Sequence, residues 1–284
     1  MATYVADSIL TAEGQITADE YSMVVKDGIR GGEIVGGILG GEQVNQSLSV
    51  YYYNQYFIGN EYPYIYLPIP AMDANQAIEA IQWLKMFFVL LGFSVTSPLK
   101  KSISSILGLH IPIVNTLVFS DDRASGYFYN RLLDRFILCT NTDALSLSEI
   151  LKSKKIPQDA SIMIYGTGAT AEAFCKSIKQ AGYTLYIDGR NKDRLAELRE
   201  KFALESMVPK EVYLLINTTP LGVDPNDDVS FLPAFQSVMD LPYNLAQDTA
   251  LIKYANEHNL ESLSGWEFFE LQFEIQLDLI LQSE

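Results

Sequence analysis

An apolar run, Ser161-Ile162-Met163-Ile164-Tyr165, leads directly into Gly166-Thr167-Gly168-Ala169-Thr170-Ala171 and then into a helical stretch over residues 172–181. No other segment of the chain restricts its fold so narrowly. The first glycine allows a tight turn after a buried strand, and the second lets the main chain approach a pyrophosphate. The third position sets how closely helix and strand pack, and alanine is permitted there. Amide groups at the start of the helix then receive the negative charge. Residues 184–187 supply the next strand, so strand, helix and strand predict a Rossmann-type unit with a parallel sheet. The candidate dinucleotide contacts are Gly166, Gly168, Ala169, Thr170 and Ala171. Asp188 and Arg190, at the end of the second strand, pull the cofactor choice in opposite directions. An acid about twenty residues beyond the glycines binds the ribose 2′-hydroxyl of NAD, whereas an arginine accepts the 2′-phosphate of NADP.

A second strand–helix–strand pattern precedes this one. Residues 34–39 and 62–69 read as strands, and 77–91 as a helix with Ala77, Ile81, Leu84 and Phe88 on one face. Gly92 is expected to stop that helix, Ser94-Val95-Thr96 to be extended, and Pro98 to end the strand in a turn that carries Lys100. Ser47 and Ser49 lie two apart, which puts both hydroxyls on one side of an extended backbone and lets them hold a carboxylate. The same serines suit a helix N-cap. Short strands at 114–118 and 137–140 flank a polar, tyrosine-containing insertion over 121–135, and Asn141-Thr142-Asp143 opens a helix. Beyond the dinucleotide motif, strand 212–216 ends in Asn217-Thr218-Thr219-Pro220-Leu221-Gly222, and strand 238–240 precedes Pro242-Tyr243. A helix over 249–258 is followed by Gly265 and a long helix over 266–281, where Gln272 stands among mainly apolar neighbours and needs partners if buried.

The chain has 284 residues, enough for two domains, and a formal net charge of −15. That charge argues against nucleic acid or an anionic membrane as a partner, because both select basic surfaces. Small molecules or other proteins remain. The two cysteines, Cys139 and Cys175, and the two histidines, His110 and His258, lack metal-ligand spacing, so no metal site is expected. No apolar stretch is long enough for a membrane span, and the N-terminus shows no positive region followed by an apolar one. A cytoplasmic, reducing setting is the expectation.

Taken in order, these segments resemble the shikimate dehydrogenase family over about residues 36–276. The chain carries Ser47-Leu48-Ser49 and then Tyr53-Asn54, where the family usually has His-Asn. Ser94-Val95-Thr96-Ser97-Pro98-Leu99-Lys100 stands where the family shows Asn-Val-Thr-x-Pro-x-Lys. Val114-Asn115-Thr116, Asn141-Thr142-Asp143, the glycine turn, Asn217 to Gly222, Asp240 with Tyr243, and Gly265 with Gln272 follow in the family's order.

The resemblance implies reversible hydride transfer between NADPH and 3-dehydroshikimate to give shikimate. It implies that Ser47 and Ser49, with Tyr243 nearby, hold the substrate carboxylate. Thr96, Asn115 and Gln272 would bind ring hydroxyls, and Lys100 with Asp143 would form the proton-transfer pair. Arg190, Asn191, Thr218 and Gly265 join the glycine turn as cofactor contacts. The implied architecture is α/β in two domains: a substrate domain over 34–143 plus 262–284, to which the C-terminal helix returns, and a Rossmann domain over 144–261. Ser94, Tyr53 and Gly189 depart from the family's Asn, His and Asn. They leave open an NAD-linked quinate/shikimate dehydrogenase, a relative acting on another cyclic hydroxy acid, or a catalytically weak dinucleotide- or metabolite-binding protein. In the N-terminal extension, 1–33, Thr17 and Glu20 match a capping box. Residues 12–17 resemble the end of type I dehydroquinases, which implies the dehydrogenase half of a fused dehydroquinase and shikimate dehydrogenase.

Overall fold

Two runs of alternating strands and helices build two separate sheets. The computed structural model describes residues 34–120, 125–244 and 246–282. The extension over 1–33, with its capping box and its dehydroquinase-like segment, and the first four residues of the insertion lie outside the described residues. The chain divides into two compact units: one runs to Asn141 and resumes at Gln276, and the other spans Thr142–Ile275.

The first unit comprises β1 (Ile34–Gly40), α1 (Leu48–Gly59), β2 (Tyr64–Pro70), α2 (Ala74–Leu84), β3 (Val89–Val95), α3 (Lys100–Ile106), β4 (Thr116–Ser120), β5 (Phe128–Asn130) and β6 (Arg135–Thr140). Its six-stranded sheet has the order β2-β1-β3-β4-β6-β5. The first three strands are parallel, and β4, β6 and β5 are antiparallel to their neighbours. Leu39, Phe93, Val95, Leu117 and Ile137 lie in its core.

The expected helix over 77–91 is two elements. Helix α2 starts one turn earlier, where the Asp73 carboxylate accepts from Gln76 N–H, and it ends at Leu84. The apolar run that follows is buried on both faces as β3, between β1 and β4, and a short run of that kind has no periodicity to tell it from a helix. Gly92 therefore lies inside a strand rather than ending a helix. The described part of the insertion has regular structure too: β5 pairs with β6, and Asn130 closes the hairpin by accepting from Leu132 N–H and Leu133 N–H at 3.1 Å.

The second unit comprises α4 (Thr142–Ser153), β7 (Ser161–Tyr165), α5 (Ala169–Gln180), β8 (Thr184–Asp188), α6 (Lys192–Phe202), β9 (Glu211–Asn217), β10 (Ala234–Asp240), α7 (Ala250–Glu257), β11 (Glu261–Ser264) and most of α8 (Gly265–Leu281). All five strands are parallel, in the order β11-β10-β9-β7-β8. This is the doubly wound arrangement that the glycine motif predicts, with the short strand β11 added. Ile162, Ile164, Phe174, Ile178 and Ile216 fill the core between sheet and helices. From Gln276 onward α8 belongs to the first unit.

Candidate active site

In open α/β sheets, ligands bind beyond the carboxyl ends of the strands. At that end of the first sheet, β1 stops at Gly40-Gly41 and a short 3₁₀ turn, Glu42–Gln46, leads into α1. A Cβ on Gly40 would stand 2.4 Å from Thr96 Cγ2 and 2.6 Å from Val44 Cγ1, so only glycine lets the end of β3 pack against this turn. The turn is tied down by Gly41 N–H and the Gln43 amide, which donate to Ser97 O at 3.2 and 2.6 Å. Ser47 is the N-cap residue of α1, and Ser49 lies in its first turn. The extended backbone considered for this pair is therefore not what forms. The hydroxyl of Ser47 makes no capping bond. Both serines instead flank a helix N-terminus, whose amide groups and dipole favour an anion.

Thr96, half-buried, directly follows β3, and its N–H donates to Leu39 O at 2.8 Å. Lys100 is the first residue of α3 rather than part of a turn, and its carbonyl accepts from Val114 N–H at 3.0 Å. Asn115 is pinned on both sides: its carbonyl accepts from Val95 N–H at 2.7 Å, and its N–H donates to Thr140 O at 3.1 Å. Ser47, Thr96, Lys100 and Asn115 are thus carried by loops and helix starts anchored to the ends of β1, β3 and β6. Asn141 donates from its side chain to Ile113 O at 3.0 Å.

The second sheet gathers the dinucleotide residues. Gly166 has φ +133°, and a Cβ there would stand 2.1 Å from Thr218 Oγ1. Thr218 is held by its N–H and hydroxyl, both donating to Tyr165 O. Gly168 is the N-cap of α5, with open space where a side chain would project, and Ala171 is buried against the core. Helix α5 begins at Ala169, earlier than expected, so its first free amide groups belong to the motif itself. A turn with glycine on both sides of Thr167, opening a helix at the carboxyl end of β7, fits a pyrophosphate. Asp143, buried at the start of α4, accepts from Thr170 Oγ1 at 3.4 Å, and Gln272 donates to Thr142 Oγ1 at 2.9 Å. The resemblance's Asp143 and Gln272 and the motif's Thr170 therefore belong to one neighbourhood.

At the end of β8, Asp188 accepts from Gly189 N–H at 2.8 Å and from Lys192 Nζ at 3.3 Å, and Arg190 is exposed. Asn191 caps α6 by accepting from Arg194 N–H at 3.0 Å. Buried Glu172 is paired with Arg194 and with Lys201, whose Nζ lies at 2.7 Å. Tyr243 packs edge-on to Trp266 at 6.2 Å, beside Gly265. A Cβ on Gly265 would stand 2.1 Å from Leu241 O.

Sequence reasoning missed Gln276. It lies one turn beyond Gln272 on α8, is buried, and bonds to Tyr53, Ser94 and Thr116. A second amide at the i+4 position among apolar neighbours was the signal available.

Asp240 ends β10 fully buried; it accepts from Asn217 Nδ2 at 2.7 Å and from the Thr249 hydroxyl. Burial pushes its pKa up to about 6, opposed by those two hydrogen bonds. A carboxyl raised in this way holds its proton more tightly in the folded chain. The stability it contributes is full below about pH 4, its unfolded pKa, and is lost as the pH rises through its folded pKa. Asp240→Asn carries no charge to lose. In urea unfolding, the variant should gain on the parent by about 3 kcal/mol as the pH rises from about 4 to 7. A difference that stays flat across that range contradicts the assignment.

Among the described residues, no helix is long and apolar enough to cross a membrane, and no group of three His, Cys, Asp or Glu side chains could hold a metal ion. No family model matches the chain. A shikimate dehydrogenase (NADP(+)) of Aquifex aeolicus is 27% identical over 244 residues, 79% of this chain and 83% of that protein. The solved structure of shikimate 5-dehydrogenase from Thermus thermophilus, in complex with NADP(H) and shikimate, superposes with a TM-score of 0.67 at 22% identity, covering 88% of this chain and 94% of that one. Quinate dehydrogenase from Corynebacterium glutamicum, in complex with NAD, gives a TM-score of 0.67 at 17% identity over 88% of this chain and 94% of that one. Along most of its length the chain is similar in sequence to shikimate dehydrogenases, and it shares the fold of these solved structures.

Proposed function

We propose that this chain is an NADP-dependent shikimate dehydrogenase, an oxidoreductase that exchanges a hydride reversibly between NADPH and 3-dehydroshikimate to give shikimate. The observation that carries this reading is the contact between Thr170 of the dinucleotide turn and Asp143, which brings the proposed acid–base residue to the cofactor motif. When bound, the nicotinamide supplies or accepts the hydride.

The chain's own residues do the rest. Ser47 and Ser49, at the positive end of α1, hold the substrate carboxylate together with Tyr243. Thr96, Asn115 and Gln272 bind ring hydroxyls. The Lys100 ammonium, paired with Asp143, donates a proton to the carbonyl oxygen as negative charge develops on it, and takes one back from the hydroxyl in the reverse direction. Gly166, Gly168, Ala169, Thr170 and Ala171 offer backbone to the pyrophosphate, with Thr218 and Gly265 beside them. Arg190 meets the 2′-phosphate, and Asn191 keeps the start of α6 in place. Residues 34–143 with 262–284 act as the substrate domain and 144–261 as the cofactor domain of a cytoplasmic enzyme on small molecules.

Asp188 favours a second reading. Its carboxylate at the end of β8 suits the ribose 2′-hydroxyl of NAD, in an enzyme acting on quinate or another cyclic hydroxy acid. Cofactor reduction by shikimate and by quinate, each with NADP and with NAD, decides between the two. Turnover fastest with shikimate and NADP is the expected outcome. Turnover confined to NAD would favour the second reading, and none with any pair would leave a metabolite-binding protein without the activity.

A further inference from the structure

Six buried polar side chains of the first unit, Tyr53, Tyr66, Ser94, Asn115, Thr116 and Gln276, form one connected set. The direction of the links around Gln276 follows from a single main-chain atom. Gln276 places one amide atom 3.3 Å from the Asn115 carbonyl oxygen, which only accepts, so that atom is the Nε2 donor. Its Oε1 therefore receives the other two contacts, from Tyr53 Oη at 2.9 Å and Ser94 Oγ at 2.6 Å. Ser94 has committed its one proton to Gln276, so the Tyr66 hydroxyl beside it donates to Ser94. Burial pushes both tyrosine phenols well above their ordinary range, which keeps them donors. On the other side, Gln276 Nε2 also donates to Thr116 Oγ1 at 2.5 Å. The structure then has Thr116 Oγ1 donating in turn to Asn115 Oδ1 at 3.0 Å.

We propose that this relay, running from Tyr66 and Tyr53 through Ser94, Gln276 and Thr116, fixes the Asn115 side chain with its oxygen toward Thr116 and its NH₂ group toward the ligand. Thr116 and Gln276 are then positioning residues, and Asn115 recognises an oxygen acceptor on the substrate. The ligand half of this inference rests on the function proposed above, in which Asn115 meets a ring hydroxyl. The relay makes Asn115 the donor in that contact, so the hydroxyl's own proton points elsewhere. An amide able to turn over would lack this selectivity, because its two ends are nearly equal in shape. Burial strengthens the effect: a reversed amide would set NH₂ against a hydroxyl oxygen that already accepts from Gln276, and would take the Asn115 oxygen away from the Thr116 proton.

Two measurements test the halves separately. Neutron diffraction from deuterium-exchanged crystals of the protein reads the relay without any ligand. Deuterium on Thr116 Oγ1 directed at Asn115, with two deuterons on the Asn115 atom facing away, is the expected result. Deuterons on the atom facing Thr116 would overturn the relay, whatever the enzyme does. Calorimetric titration of shikimate into the full chain reads the consequence. Thr116→Val should weaken shikimate binding about tenfold, the loss of one oriented hydrogen bond, while NADP affinity stays the same. Thr116→Ser, which keeps the hydroxyl, should restore it. Asn115→Asp, which when ionised only accepts, should weaken binding at least as much. Undiminished affinity in Thr116→Val or in Asn115→Asp would remove the positioning role. If the parent chain bound no shikimate at all, the proposed substrate would fail while the neutron result still decided the relay.

Discussion

Lys100→Ala is expected to lower kcat by about 10²- to 10⁴-fold, the range a positioned general acid or base contributes. The substrate's carbonyl oxygen gains negative charge as hydride arrives, and water held at the truncated site is a much weaker acid than an oriented ammonium. The backbone of Lys100 does separate work, since its carbonyl caps the approach of Val114 and so helps to seat Asn115. Alanine keeps that carbonyl and starts a helix readily, so the substitution isolates the side chain. Cofactor affinity should change little, because the glycine turn and Arg190 belong to the other unit. Steady-state rates with shikimate and NADP, paired with titration of NADP alone, check both parts. A variant that kept the parent's kcat would remove Lys100 from the chemistry.

Gly166→Ala is expected to raise the NADP dissociation constant by about 100-fold. Its φ of +133° is disfavoured for any side chain, and the added Cβ would meet Thr218 Oγ1 at 2.1 Å. Relieving that contact means moving the turn or the Asn217-Thr218-Thr219 loop, both of which border the pyrophosphate position. Strain of about 3 kcal/mol, the upper end for one such residue, corresponds to that factor. Gly168→Ala separates strain from approach. Gly168 has φ −75° and open space at its Cβ, so alanine there leaves the melting temperature unchanged while obstructing the ligand's path to the backbone. Equal NADP binding by Gly166→Ala and the parent would contradict the dinucleotide assignment of this turn.

The parts legible in sequence were those where a local pattern has only one structural solution. A strand entering Gly166-Thr167-Gly168 can only turn into a helix there, and the parallel order of the second sheet followed from it. Where one composition serves two structures, reading failed. Val89 to Leu91 is apolar enough for either a buried helix or a buried strand, and pairing with β1, continued by Gly92 to Ser94 against β4, made it a strand. The serine pair at 47 and 49 was readable as donors but not as a helix start. Helix α1 is aromatic on all sides, packing Tyr53 on Tyr66 and Phe57 on Tyr64, and so shows no polar face to announce it. What Gln276 and Thr116 do was hidden for a different reason. Their roles come from contacts between residues more than 150 positions apart, which no local spacing encodes.

The buried relay also changes how this chain's divergence is counted. Tyr53 and Ser94 stand where the family resemblance leads one to expect histidine and asparagine, and a tally of differences would score them as two independent losses. Their hydroxyls bond to the same atom, Gln276 Oε1. Two hydroxyls that fill the lone pairs of one acceptor are coupled, so a change at 53 and a change at 94 are not expected to add independently. They belong to one internal bonding scheme centred on Gln276, and so weigh once, not twice, against the proposed chemistry.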